Sequence, residues 1–353
     1  MKKLKYQKIN MNNLLILSLF LSIFGLFNLL GIDRNLFYRQ LFALFLAFTV
    51  FFITKKIGRD FFERNINFFY WFFIFILIIT FFIGKEVKGS RRWLDLFFFR
   101  FQPSEIFKIF FILYFSSFFA QKKFFSPFEG FFKGLLLFLI PTILIFKQPD
   151  LGNALVYGFI FFTFLFFSDF PKRYIFYLSV FLILFFPLFW QILADYQKMR
   201  LISFFNPHLD KQGTAYNISQ AVITIGSGGF FGKGLGLGTQ SRLHFLPENK
   251  TDFAFASLVE QFGFFGGIIT LFSYGLIFYL IIKKIFRFFF IQQGEDRKNF
   301  FYCLGLLSYL AFQFFVNVGM NLGIVPIAGV ALPFISYGGS AVLTLLFGFA
   351  LLP

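Results

Sequence analysis

Two carboxylates four residues apart, Glu248 and Asp252, stand in the stretch Arg242-Leu-His-Phe-Leu-Pro-Glu-Asn-Lys-Thr-Asp-Phe-Ala-Phe-Ala256. Arg242 and Lys250 flank them, and an apolar, helix-compatible run begins immediately afterwards. A carboxylate at such an edge is half desolvated yet still reaches a water-borne substrate, which suits a general base. The plain alternative is that Asp252 only N-caps the next helix, a task Asp performs well.

A second group lies inside apolar sequence. Lys108 falls about one turn into the run opened by Gln102-Pro-Ser-Glu105, and a lysine there needs a partner. Asp150, in Gln148-Pro-Asp-Leu-Gly152, is the acid best placed to pair with it, so a structural Lys108–Asp150 ion pair is expected. A third group is Lys85-Glu-Val-Lys-Gly-Ser-Arg-Arg-Trp-Leu-Asp95 with Arg100. Either Glu86 and Asp95 neutralise these bases locally, or Arg91 and Arg92 bind an anionic headgroup or pyrophosphate.

The elements that position these groups are membrane helices. The chain has 353 residues, of which 58% are hydrophobic and 14% charged. That composition excludes a soluble domain and predicts an all-α, polytopic membrane protein forming one integral membrane domain over 1–353. About ten runs reach spanning length, near 13–31, 36–54, 66–84, 104–120, 131–147, 151–169, 173–194, 254–283, 299–322 and 333–352. The formal net charge of +17 points to cytoplasmic loops and anionic lipid, not nucleic acid. The single cysteine, Cys303, excludes a disulfide framework and a thiol metal site.

Alternation of the spans collects Lys2, Lys3, Lys5 and Lys8 with Lys55, Lys56, Arg59, Lys122, Lys123, Lys172, Arg173, Lys283, Lys284, Arg287, Arg297 and Lys298 on one side. That side is cytoplasmic by the positive-inside rule, with both termini there. The basic stretch at 85–100 and a long loop at 195–253 then lie outside. Within that loop, Gly213–Ile225 reads as a short amphipathic helix. Gly226-Ser-Gly-Gly-Phe-Phe-Gly-Lys-Gly-Leu-Gly-Leu-Gly238 fails as a phosphate-binding Walker loop, because Ser227 stands where a Walker glycine belongs and Gly234 follows Lys233 where Ser or Thr belongs. It is expected to be a close-approach loop whose amides could contact phosphate. Gly and Pro in Asn317–Pro326 and Leu332–Ser340 imply broken helices, with Gly338 and Gly339 packed tightly.

Five stretches in order resemble the SEDS family, the RodA/FtsW group: Arg91-Arg-Trp-Leu-Asp95, Gln102-Pro-Ser-Glu-Ile-Phe-Lys108, Gln148-Pro-Asp-Leu-Gly152, Leu246-Pro-Glu-Asn-Lys-Thr-Asp-Phe253 and Ile335-Ser-Tyr-Gly-Gly-Ser340. Ile225-Gly-Ser-Gly-Gly229, Gly238-Thr-Gln-Ser241 and Asn317-Val-Gly-Met320 resemble the elongation branch more than the division branch. The resemblance implies ten transmembrane helices in the bacterial cytoplasmic membrane. It implies a peptidoglycan glycosyltransferase that polymerises lipid II outside the membrane during cell elongation. It also implies a class B penicillin-binding protein as partner, beside other membrane proteins of the elongation complex. It gives Asp252 the place of the essential aspartate, and Lys108 and Asp150 that of an intramembrane pair. The chain departs from the pattern at His244, where division-type members carry an acid, at Gln261, where a second glutamate is usual, and at Phe97, often Gly.

On that reading Asp252 is the general base. Phe253 and Phe255 would raise its pKa from near 3.9, and Lys250 would lower it. The leaving pyrophosphate needs cations, either Arg91, Arg92, Arg242 and Lys250 or a divalent metal, magnesium or manganese, that Asp252 and Glu248 could hold; Glu248 otherwise assists in positioning the substrate. A lipid II flippase and a non-catalytic scaffold are the competing readings.

Overall fold

The computed structural model describes residues 11–87, 90–96, 99–121, 126–210, 213–290 and 294–353. The amino-terminal lysines, Lys88, Phe97, Lys122, Lys123 and Lys211 lie outside these. In chain order come α1 (Met11–Ile32), α2 (Arg34–Ile57), α3 (Arg59–Arg64) and α4 (Ile66–Ile83). A sheet of β1 (Lys85–Val87), β2 (Ser90–Leu96) and β3 (Phe99–Phe101) follows. Next are α5 (Pro103–Ala120), α6 (Pro127–Lys147), α7 (Leu151–Phe167), α8 (Lys172–Leu184), α9 (Phe186–Ile192) and α10 (Asp195–Phe205). The chain closes with α11 (Thr214–Ser227), α12 (Thr239–Arg242), α13 (Ala254–Phe289), α14 (Gly294–Asn321) and α15 (Gly339–Ala350).

Among the described residues, seven helices are long and apolar enough to cross a membrane: α1, α2, α4, α5, α6, α13 and α14. The bent pair α8–α9, with 55° between its halves, makes an eighth. The shorter apolar helices α7 and α15 cover the remaining runs seen in the sequence. The protein is a multi-pass membrane protein of all-α class. Helices α5 and α14 form its centre, and Phe107, Phe111 and Phe115 of α5 are fully enclosed. The outer helices turn Phe outward, as with Phe45, Phe68 and Phe82, where lipid tails are the natural neighbour.

Two differences from the sequence reading have simple causes. The described residues of the basic stretch form antiparallel strands at 85–87, 90–96 and 99–101, where a loop is expected. Their register sets Glu86 opposite Arg91 and Asp95 opposite Arg100, and opposite charges facing across strands support that pairing. The last helix begins at Gly339, not 333. Residues 322–338 are irregular because Pro326, Pro333 and several glycines interrupt the helical ladder. Gly338 has open space where a Cβ would stand, so tight packing is not its role. It precedes α15, and its N–H donates to Gln40 Oε1 at 3.2 Å.

The glycine-rich stretch does a structural job. Helix α13 breaks at Gly263, whose backbone (φ 72°, ψ −171°) lies in a region open essentially to glycine alone. The loop docks into that break: Lys233 N–H donates to Glu260 O at 2.9 Å, and Gly234 N–H to Gln261 O at 3.0 Å. Phe264 N–H answers to Gly229 O at 2.8 Å. These amides are therefore taken, and the expected phosphate contact through Lys233 and Gly234 N–H is corrected. A Cβ on Gly263 would lie 2.3 Å from Gly232 N. Gly263→Ala should undock the loop and lower stability by about 1–3 kcal/mol. Thermal unfolding, with amide exchange across 229–236, reads this. Unchanged protection there would show that the docking is not needed.

Candidate active site

The interval 195–253, the sheet, the α6–α7 joint and the segment 322–338 meet on one face of the bundle. Asp252 sits there half-buried, one residue before Phe253, which takes the N-cap position of α13. Asp252 is therefore not the cap. Its backbone is held from α14, where Asn317 Nδ2 and Asn321 Nδ2 both donate to Asp252 O at 3.0 Å. Asn321 Oδ1 also accepts from Ala256 N–H at 2.9 Å. On the other side, Ser336 Oγ donates to Thr251 O at 2.6 Å, and Tyr337 N–H to Lys250 O at 2.7 Å. The carboxylate thus projects from backbone pinned by two distant segments, which limits its wandering.

Arg200 of α10 comes to the same place. Its Nη1 lies 3.2 Å from the point where a Cβ on Gly329 would stand, and Asp252 Oδ2 lies 3.9 Å from it. Gly329 has φ +67°, so a side chain there would meet both strain and crowding. The Arg200 guanidinium rests over the Tyr196 ring at 5.6 Å. Tyr196 OH donates to Pro149 O at 2.8 Å, and burial raises that phenol above its ordinary pKa while Arg92 and Arg200 pull it down. Arg200 lies in the long loop at 195–253, and no motif in the sequence singles it out. The signal available was its spacing: Tyr196 and Arg200 are four apart, on one face of a short helix.

Asp150 organises the adjoining part. It caps α7, accepting Asn153 N–H at 3.3 Å, Asn153 Nδ2 at 2.8 Å and Gln102 Nε2 at 2.8 Å. Its ion pair is with Arg92 Nη1, at 3.2 Å. The expected Lys108–Asp150 pair is therefore corrected. Lys108, fully buried, pairs with Glu105 Oε1 on its own helix at 2.7 Å and lies over the Tyr309 ring at 4.9 Å. The i,i+3 spacing puts that acid within reach without recruiting another helix. Gly152 packs directly on the 328–330 backbone, which joins the start of α7 to Gly329, Arg200 and Asp252.

The remaining candidates divide. Arg92 is half-buried, with Nε donating to Ser90 Oγ at 2.9 Å. Arg91 is exposed and paired with Glu86 at 3.2 Å. Asp95 takes Lys85 at 2.7 Å and Arg100 at 3.4 Å. The Lys85 hydrogen bond holds its carboxyl below the usual range. Arg242 is exposed and donates to Gly236 O at 3.2 Å. Lys250 reaches Asp33 at 3.6 Å, the residue that caps α2. Glu248 occupies a turn with φ +53°, where Thr251 Oγ1 donates to its Oε2 at 2.9 Å. Among the described residues no three His, Cys, Asp or Glu side chains gather as a metal site. With a guanidinium beside Asp252 and Glu248 engaged in its own turn, this donor set does not fit a resident divalent cation.

Gln261 has a definite use. Its Nε2 donates to Asn28 Oδ1 at 2.7 Å and Asn28 O at 3.0 Å, while its Oε1 accepts Gly236 N–H at 3.0 Å. A carboxylate could not supply the two donations. Glu260 beside it is fully buried and clamps α12, accepting from Gln240 N–H, Ser241 N–H and Ser241 Oγ at 2.7–2.9 Å.

Fold and site together define a polytopic membrane protein with an acid–base cluster assembled from distant segments at one face. A family profile described as cell cycle protein, FtsW/RodA/SpoVE, matches residues 9–353. The chain belongs to that family, the SEDS family. The MrdB peptidoglycan glycosyltransferase of Escherichia coli K12 is 35% identical over 322 residues, covering 91% of this chain and 85% of the relative. A probable peptidoglycan glycosyltransferase FtsW of Buchnera aphidicola (subsp. Schizaphis graminum) is 34% identical over 321 residues, 89% of this chain and 88% of the relative. A solved peptidoglycan synthase complex that coordinates polymerization and crosslinking contains a chain with TM-score 0.81 at 28% identity, covering 96% and 95% of the two chains. The rod shape determining protein RodA of Thermus thermophilus has TM-score 0.71 at 27% identity, covering 96% and 94%.

Proposed function

We infer that this chain is a peptidoglycan glycosyltransferase that polymerises lipid II at the outer face of the bacterial cytoplasmic membrane, with both termini inside, during cell elongation. The observation that carries the reading is Asp252: a half-buried carboxylate on pinned backbone, next to a cationic side chain, at the face where alternation of the spans puts the outside. Asp252 takes the proton from a sugar hydroxyl of the incoming lipid II. That oxygen forms a bond to the anomeric carbon of the growing strand, and the bond to the lipid pyrophosphate breaks, its electron pair leaving with the phosphate. Arg92 holds the pyrophosphate, since Arg offers a planar fork that matches phosphate oxygens. Arg91, Arg242 and Lys250 add positive potential on the same face, and Glu248 shapes the turn that presents Asp252. A class B penicillin-binding protein and other elongation-complex membrane proteins are its partners. A divalent cation, magnesium or manganese, is placed with the substrate pyrophosphate; chelation followed by graded return of either ion measures its contribution.

The transport reading loses an argument, because the buried Lys108 is paired within one helix and does not bridge segments that would move apart. The deciding experiment supplies lipid II to the purified protein with its transpeptidase partner and measures glycan strands, beside a vesicle assay for lipid II movement. Movement without strands would overturn the enzymatic reading.

Arg91 and Arg92 should separate in that assay. Arg92→Gln removes a half-buried guanidinium, and the KM for lipid II should rise about tenfold or more, since hydrogen bonds to charged groups contribute about 1.5–3 kcal/mol. Arg91→Gln removes an exposed pair worth about 0–1 kcal/mol and should change KM by less than about threefold. Equal effects of the two would return the sheet to a generic attraction for anionic lipid.

A further inference from the structure

We propose that Arg200 is the positioning residue for the Asp252 carboxylate, holding it aimed at the acceptor hydroxyl across Gly329. The proposal rests on the glycosyltransferase reading above and adds to it the device that readies the base. Three observations meet. Arg200 Nη1 and Asp252 Oδ2 approach the same point on Gly329, at 3.2 and 3.9 Å, where the absent side chain leaves room for both groups. Arg200 is itself held from behind: its guanidinium lies over Tyr196, and Tyr196 is tied by its hydroxyl to Pro149 O, next to the Asp150–Arg92 pair. The Asp252 backbone is fixed separately, by Asn317 and Asn321. Base and cation therefore arrive from two independently braced elements, α10 and the start of α13. Their meeting point is a glycine on a third segment, which also packs on Gly152 at the start of α7.

The physical consequence is a division of labour between two arginines. Arg92 is held by Asp150 on the sheet side, while Arg200 stands beside the base. A guanidinium next to a carboxylate favours its charged form and restricts its rotation. Removing it leaves a base that is less well aimed. Misplacement of a reacting group by about 1 Å can lower a rate about a hundredfold. The loss belongs in kcat, because Arg200 acts on the catalytic group and not on the bound lipid.

The test is steady-state lipid II polymerisation by the purified protein with its transpeptidase partner, comparing wild type, Arg200→Gln and Arg200→Lys, each checked by thermal unfolding. Arg200→Gln should lower kcat by about a hundredfold with KM for lipid II within about twofold of wild type. Arg200→Lys, which keeps the charge but not the planar fork, should recover part of that loss. If Arg200→Gln does not fold, Arg200→Lys alone decides: a kcat about three- to tenfold down at constant KM supports the proposal, and an unchanged kcat overturns it. Three other results also overturn it. One is an unchanged kcat in Arg200→Gln. Another is a KM rise at constant kcat, which would make Arg200 a lipid-binding residue. The third is an equal loss in both variants alongside a lowered melting temperature, which would make it a structural brace. An inactive wild type would count against the glycosyltransferase reading itself, so the two failures are told apart in one assay.

Discussion

Asp252→Asn should abolish glycan polymerisation while leaving the protein folded and inserted. An amide of the same shape cannot accept the acceptor's proton, and a positioned general base contributes about 10²- to 10⁴-fold to rate. The rest of the site gives no reason for collapse. The α13 cap falls on Phe253, and the bonds from Asn317 and Asn321 go to the Asp252 carbonyl, which the substitution keeps. Stability should therefore fall by no more than about 1–2 kcal/mol. Polymerisation of lipid II by purified variant and wild type, beside their thermal unfolding, measures both quantities. Long strands made by Asp252→Asn at near wild-type rate would remove Asp252 from the chemistry. A variant that neither folds nor polymerises would return it to the structural role of a residue that ends a loop.

The spans were legible because hydropathy is a property of consecutive residues. A run such as Phe68–Phe82 is readable as a membrane helix before any neighbour is known, and the interrupted character of 317–340 followed from its Gly and Pro. The segments that make the site were legible as motifs, and Asp252, Asp150 and Arg92 all lie on one face. Their partners were not. Lys108 was assigned to an acid across the bundle, although Glu105, three residues away, was within reach of the same helical face. Spacing shows which groups can meet, and only packing decides which do. Arg200 and Asp252 are separated by the whole long loop, and nothing local marks them as neighbours. The glycine-rich loop was misjudged for a related reason. Its free amides looked available for phosphate, but their acceptors, Glu260 O and Gln261 O, exist only because α13 breaks at Gly263.

The buried Glu105–Lys108 pair should dominate the stability of the central helices. Lys108 has no exposure, and its ammonium is the ion-pair partner of the buried Glu105 carboxylate. Lys108→Met therefore leaves a buried carboxylate without its ion-pair partner, and such single removals cost about 3–5 kcal/mol. The double variant Lys108→Met/Glu105→Gln removes both charges and should recover most of the loss, because a buried pair adds little net stability over neutral groups of similar size. The Lys108 ammonium pairs with Glu105, and Asp150 pairs with Arg92. Its own charge is balanced by Arg92, Gln102 and Asn153. A double-mutant cycle should therefore give a coupling of more than about 1 kcal/mol for Lys108 with Glu105, and less than about 0.5 kcal/mol for Lys108 with Asp150. Unfolding of the single and double variants in one detergent supplies all the terms. A larger coupling to Asp150 than to Glu105 would restore the cross-helix pair and make the motif at 148–152 a brace for α5. The expected order instead leaves Asp150 coupled to Arg92, so that Asp150→Asn lowers lipid II use more than it lowers the melting temperature.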